Sequence, residues 1–180
     1  MMFDPLQNHR ILLIDDSLET HGLFRRILLG YSDLPNKQGP RRVVKADSDM
    51  PVFEIDSAYQ GQEGLALIEK SLLEKKPYAM AFVDVRMPPG WDGLETICKI
   101  WEKYPDLLVV ICTGYIEQPW NEIARKLGYL DRVVILHKPF DKNEVLQLAV
   151  SMSLKWRLNQ QAKLRVDNLE RLVLNLYETQ

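Results

Sequence analysis

Four short runs along the chain are apolar at nearly every position: Ile11-Leu12-Leu13-Ile14, Ala79-Met80-Ala81-Phe82-Val83, Leu107-Leu108-Val109-Val110-Ile111-Cys112 and Val133-Val134-Ile135-Leu136. Runs this short, without alternation and rich in branched residues, suit strands of a parallel sheet covered on both faces. A fifth stretch, Val52 to Ala58, carries Glu54 and Asp56 and reads as an edge strand. Helical patterns lie between, at about 17–29, 61–75, 93–103, 118–127 and from 142 onward. Asp92 stands three residues before Glu95, and Asp141 three before Glu144, which is the pattern of a helix cap with an acidic third position. Strand alternating with helix five times predicts a doubly wound α/β fold with a five-stranded parallel sheet. Right-handed crossovers then bring every strand C-terminus to one edge, where such folds bind ligands.

Residues 30–51 break the rhythm. Gly30, Pro35, Gly39, Pro40 and Pro51 punctuate a polar stretch that reads as a surface insertion in a domain spanning 1–150. After Pro139 there is neither Pro nor Gly, so one helix could run from Asp141 to Tyr177. It would be about 55 Å long at 1.5 Å per residue, too long to pack on one small domain, the alternative being an amphipathic tail that packs on its own domain. Residues 151–180 are therefore expected to form a helical linker or coiled coil. With Met152, Asn159, Val166 and Val173 at heptad position a, position d holds Lys155, Ala162, Leu169 and Leu176. Branched residues at a with leucine at d favour parallel pairs, and a buried Asn159 would set register. A homodimer is expected, held by Asn159, Val166, Leu169, Val173 and Leu176. An effector domain beyond Gln180 is a further expectation.

Composition narrows the class. The chain has 180 residues and a net charge of −2. No basic footprint for nucleic acid exists. Cys98 and Cys112 have no metal-ligand spacing and sit in apolar surroundings, so free buried thiols in a reducing compartment are expected. The N-terminus lacks a basic-then-apolar leader, and no apolar run approaches the roughly 20 residues of a membrane helix. A soluble cytoplasmic protein is expected, with neither membrane nor nucleic acid as partner. His9, His21 and His137 have no partner at ligand spacing and read as structural or surface groups; the four tryptophans read as packing.

The candidate chemistry lies just after the apolar runs. Asp15 and Asp16 follow the first, Asp84 the second, Thr113 the third, and Lys138-Pro139 the fourth. Singly, each has an ordinary reading: Asp16 as a helix cap, Asp84 as a loop acid, Thr113 as a turn residue, Lys138 as a surface charge. Together they converge on one sheet edge. Three clustered carboxylates need a cation, and oxygen-only ligands suit Mg²⁺. A carboxylate nucleophile beside such a metal and an ammonium can take a phosphoryl group in line. Asp84, alone on its strand, is the candidate nucleophile, with Asp15 and Asp16 as the metal pair.

These residues resemble a known family. Ile11 to Asp16, Phe82-Val83-Asp84-Val85-Arg86-Met87-Pro88, Asp92-Gly93, Cys112-Thr113-Gly114 and Lys138-Pro139-Phe140 are similar to the receiver domain of two-component response regulators, over about residues 9–150. The resemblance implies a flavodoxin-like sheet of order 2-1-3-4-5 and phosphorylation of Asp84. It implies Mg²⁺ held by Asp15, Asp16, Asp84 and the backbone carbonyl of Arg86. Thr113 would turn toward the phosphoryl group, Lys138 would pair with it, and the bond preceding Pro139 would be cis. The donor would be a sensor histidine kinase or phosphotransfer protein, and the chain would be a switch, not an enzyme with a turned-over substrate. Three departures stand out. Ile135 occupies the usual aromatic switch position, the loop from Asp84 to Gly93 is one residue longer than usual, and the segment from Thr113 to Lys138 about three longer. Two other readings remain. One is a receiver-like dimerisation scaffold that takes no phosphate, which Ile135 leaves open. The other is an aspartyl-nucleophile phosphatase, which needs a second carboxylate two residues after the nucleophile, where Arg86 stands.

Overall fold

The computed structural model describes residues 7–30, 51–114, 120–128 and 130–178. The expected insertion falls almost wholly on 31–50, outside the described residues. Five parallel strands, β1 (Arg10–Ile14), β2 (Glu54–Ala58), β3 (Met80–Asp84), β4 (Leu108–Thr113) and β5 (Val133–His137), form one sheet in the order β2-β1-β3-β4-β5. Helices α1 (Leu18–Leu29), α2 (Gly61–Leu73), α3 (Gly93–Lys103), α4 (Trp120–Leu127) and α5 (Lys142–Glu178) complete it. This is the flavodoxin-like arrangement expected.

Strand alternation splits the core in two. Leu12, Ile14, Ala81, Val83, Val109 and Ile111 face α2, α3 and α4, meeting Ile68, Ile97 and Ile123. Ile11, Leu13, Met80, Phe82, Val110 and Cys112 face α1 and α5, meeting Phe24, Ile27, Val145, Ala149 and Trp156. Burial on both faces is why the central strands read as unbroken apolar runs. β2 lies at the edge, and Glu54 is exposed.

The helix starts follow local chemistry. Ser17, not Asp16, caps α1: its hydroxyl accepts the Thr20 N–H at 3.3 Å. Asp92 caps α3 through the Glu95 N–H, and the pattern at Asp141 holds too, with the Asp141 N–H donating to Glu144 at 2.8 Å and Asp141 accepting the Asn143 N–H.

α5 has the 37 residues anticipated. Its packing continues past residue 150, because Met152, Ser153 and Trp156 are buried. The Trp156 indole N–H donates to the Tyr104 hydroxyl at 2.9 Å, and Tyr104 donates on to the Tyr78 carbonyl. Further on, Gln160 and Lys163 bond the two oxygens of Asp106. Those bonds and the Lys163 charge outweigh burial and draw the Asp106 carboxyl below its ordinary range. Beyond Lys163 every residue through Leu176 is exposed. Cys112 is buried and free, and Cys98 is free and half-buried.

Candidate functional site

The sheet edge gathers the groups whose spacing marked them out. Asp15 directly follows β1, Asp84 ends β3, Thr113 ends β4, and Lys138 directly follows β5. Parallel register sets Asp84 beside Cys112, and Thr113 beside His137. The Lys138 ammonium lies between two carboxylates, 2.8 Å from Asp15 Oδ2 and 2.7 Å from Asp84 Oδ1. Its own backbone N–H donates to the Thr113 carbonyl at 2.7 Å, which holds the end of β5 against β4.

The remaining carboxylate oxygens are met by backbone. Asp15 Oδ1 accepts the Ser17 N–H at 2.9 Å, and Asp84 Oδ2 accepts the Arg86 N–H at 2.8 Å. The β3–α3 loop returns tightly, with the Gly93 N–H donating to the Val85 carbonyl at 2.9 Å. A Cβ on Gly93 would collide with the Asp84 carbonyl oxygen, so glycine is what allows α3 to start against the end of β3.

Burial makes these charges interact strongly. Asp15 and Asp84 are buried, 5% and 9% exposed. Desolvation pushes the Asp84 carboxyl above its ordinary value, against the opposing pull of Lys138. Burial alone would lower the Lys138 ammonium, but the hydrogen bonds and charges of Asp15 and Asp84 win, and it is raised. Burial also pushes the Cys112 thiol up, so it forms the floor as a neutral group. The hollow under the site, about 10 Å³, touches Asp15, His21, Asp84 and Cys112 and has room for about one water.

Of the expected site residues, Asp15, Asp84 and Lys138 are in direct contact. Asp16 is exposed at the rim, and among the described residues no three acidic, His or Cys side chains are already drawn into a metal cage. Thr113 is half-buried at the strand end. Ile135 sits mid-β5, opposite Ile111, packed against the α2/α3/α4 side of the core. The Lys138–Pro139 bond is cis, as the resemblance implied, and Pro88–Pro89 in the β3–α3 loop is a second cis bond. Asn159, Val166, Leu169, Val173 and Leu176 are all exposed along α5. Met152 is not available to a partner helix, since the first a position of the heptad is buried in its own domain.

Two side chains, Arg25 and Ser57, escaped the sequence reading, and a third, His21, was read there only as a structural or surface group. His21 is 3% exposed, with Nε2 2.8 Å from the Asp15 carbonyl oxygen and Nδ1 2.9 Å from Ser57 Oγ. Arg25 donates to the same Ser57 oxygen at 2.9 Å. The available signal was position: His21 lies a turn into α1 after the acidic pair, and Ser57 is next to last in β2.

The comparisons with known proteins bear on the family and the fold. The family model of the response regulator receiver domain matches residues 36–150, beginning after the acidic pair that β1 delivers. The photosynthetic apparatus regulatory protein RegA of Cereibacter sphaeroides is 32% identical over 133 residues, which is 74% of this chain and 65% of that protein. The chain thus spans a little under two thirds of that relative's length. A solved structure described as adenylate cyclase from Rhodopirellula baltica is similar with a TM-score of 0.64 at 26% identity, over 89% of this chain and 98% of that one. A CheY-like response regulator receiver domain protein from Methanospirillum hungatei is similar with a TM-score of 0.59 at 20% identity, over 84% and 97%, a likeness of fold. The chain belongs to the response regulator receiver domain family.

Proposed function

We propose that this receiver is a phosphoacceptor switch whose nucleophile is the Asp84 carboxylate. The observation that carries the reading is Lys138, whose ammonium bridges Asp84 and Asp15 from the end of a separate strand. A carboxylate oxygen of Asp84 forms the new O–P bond while the P–N bond of a phosphohistidine donor breaks. The electron pair leaves with the imidazole, which then takes up a proton. The donor is a sensor histidine kinase or a phosphotransfer protein. The Lys138 ammonium, already beside Asp84, meets charge on the phosphoryl oxygens, and Thr113 offers a hydroxyl from the end of β4.

Asp15, Asp16 and Asp84 bring three negative charges against one positive, Lys138. The donor set is all oxygen, and burial already strains the ionised form of Asp84. Both features fit a divalent cation, with Asp15, Asp16, Asp84 and the Arg86 carbonyl as its holders. Bound Mg²⁺ would supply charge neutralisation at the transferring phosphoryl group. Ile135, in place of an aromatic side chain, removes the bulky rotor that would follow Thr113, so the switch runs through the Thr113–Lys138 strand ends alone. Incubation with acetyl phosphate and Mg²⁺ should add one phosphoryl group by intact mass. Labelling of Asp84→Asn at the wild-type level would sink the assignment.

A second reading concerns α5, and its specific observation is the apolar stripe that remains uncovered past Lys163. Val166, Leu169, Val173 and Leu176 are 49–69% exposed along the last part of α5. A second copy of the chain would cover them as a parallel pair, with Asn159 facing Asn159 and Arg165 reaching Glu170 of the other helix. A chain ending at Lys163 keeps all the buried part of α5. Sedimentation should show the full chain self-associating and the shortened chain monomeric; equal behaviour would refute the coil. The similar Rhodopirellula baltica structure is that of an adenylate cyclase, which supports an effector enzyme as the output such a pair would align.

A further inference from the structure

We propose that His21 is a positioning residue for the acidic pair. It ends a one-directional hydrogen-bond chain from Arg25 through Ser57 and fixes the peptide plane from which both carboxylates project. The proposal rests on reading Asp15 and Asp16 as metal-binding groups.

The direction of the chain follows from donor capacity. A guanidinium only donates, so Arg25 Nη2, 2.9 Å from Ser57 Oγ, gives that oxygen a hydrogen. A backbone carbonyl only accepts, so His21 Nε2, 2.8 Å from the Asp15 oxygen, carries a hydrogen. Between them the Ser57 hydroxyl, having accepted from Arg25, passes its own hydrogen to His21 Nδ1 at 2.9 Å. Every group is then used in its natural sense, with Nε2 as the imidazole's donor and Nδ1 as its acceptor. Arg25 also donates to the Ile55 carbonyl at 3.1 Å, anchoring the chain to the edge strand. The Tyr59 ring packs 4.6 Å from the imidazole, between centroids, and limits its rotation.

What this accomplishes is visible at Asp15. Its N–H donates to the Ala58 carbonyl at 3.2 Å, and its Oδ1 accepts the Ser17 N–H. The His21 bond to its carbonyl adds the point that sets the plane of the peptide joining Asp15 to Asp16. Asp16 is exposed and makes no side-chain hydrogen bond among the described residues. The direction in which its carboxylate leaves the chain is therefore governed by that peptide. Outer partners of this sort tune metal affinity without touching the metal.

The test uses the full chain. Long-range proton–nitrogen spectra of the imidazoles should show one slowly exchanging Nε2–H histidine whose Nδ1 carries no hydrogen, lost in His21→Leu; a hydrogen on Nδ1 of His21 would overturn the chain. Mg²⁺ titration by calorimetry should show His21→Leu, which keeps bulk but loses the donor, binding about tenfold more weakly. His21→Gln, whose amide can present an N–H near the Nε2 position, should recover most of that loss. Ser57→Ala should weaken binding less than His21→Leu. Unchanged Mg²⁺ affinity in His21→Leu, even with a lower melting temperature, would reduce His21 to a core residue and refute the proposal. A wild-type chain that binds no Mg²⁺ refutes instead the metal reading beneath it, and an intact Nε2–H tautomer tells the two failures apart.

Discussion

Replacing Lys138 with methionine keeps the length of the side chain and removes its charge. In the wild type the ammonium meets Asp15 at 2.8 Å and Asp84 at 2.7 Å, and those carboxylates are 7% and 11% exposed in their side chains. Removing one partner of a buried ion pair costs about 3–5 kcal/mol, because the charge left behind has lost its compensation. The Lys138 side chain is 27% exposed, so water already screens part of the attraction. A loss of about 2 kcal/mol without metal is expected, or about 4–8 °C in melting temperature for a chain of this size. The pH dependence gives the signature. The Asp84 carboxyl is already raised by burial, and Lys138 is the chief group pulling it down. The variant raises it further, so the folded chain binds the proton more tightly than the unfolded one. Such a group contributes most stability below its unfolded pKa, and that contribution is lost as pH rises through the folded value. The deficit of Lys138→Met should therefore shrink in mild acid and reach its full size at neutral pH. Mg²⁺ should shrink it as well, since a bound cation offsets the same repulsion. Urea unfolding of both proteins, at neutral and mildly acidic pH with and without Mg²⁺, measures all of this. Equal stability without metal, or a deficit indifferent to acid and to Mg²⁺, would show that the ammonium does not hold the two carboxylates together.

Mg²⁺ should raise the melting temperature of the wild type by binding the folded state only, and Asp15→Ala should abolish that rise in a thermal scan. Trp156→Ala should destabilise the domain by about 3–5 kcal/mol in urea unfolding, since a fully buried indole and its bond to Tyr104 are lost together. Gly93→Ala should cut the rate of labelling by acetyl phosphate, because its methyl group must displace the Asp84 backbone; a wild-type rate would show that the loop yields freely.

The order of elements and the edge that carries the site were legible in the residues themselves. Burial on both faces erases alternation, so each central strand is an apolar run, and each candidate group stands where such a run stops. Parallel crossovers of one hand do the rest, which is why Asp15, Asp84 and Lys138 could be placed together before any contact was seen. Cap chemistry was equally local at Asp92 and Asp141, because it depends on residues three positions apart. Where two neighbours competed, as Asp16 and Ser17 did for the start of α1, only the fold decided: Asp15 bonds the Ser17 N–H, and Ser17 takes the cap. The bridge from Lys138 to partners 54 and 123 positions away required strand register. The Arg25–Ser57–His21 chain required more: His21 and Arg25 stand one turn apart on α1, but Ser57 comes from the edge strand, and no periodicity links it to them. The same holds for α5. Its length was set by the absence of Pro and Gly, a property of the sequence. The point where it leaves the domain was decided by the Trp156–Tyr104 bond and the Asp106 clamp, both of which depend on a loop 50 or more positions earlier in the chain.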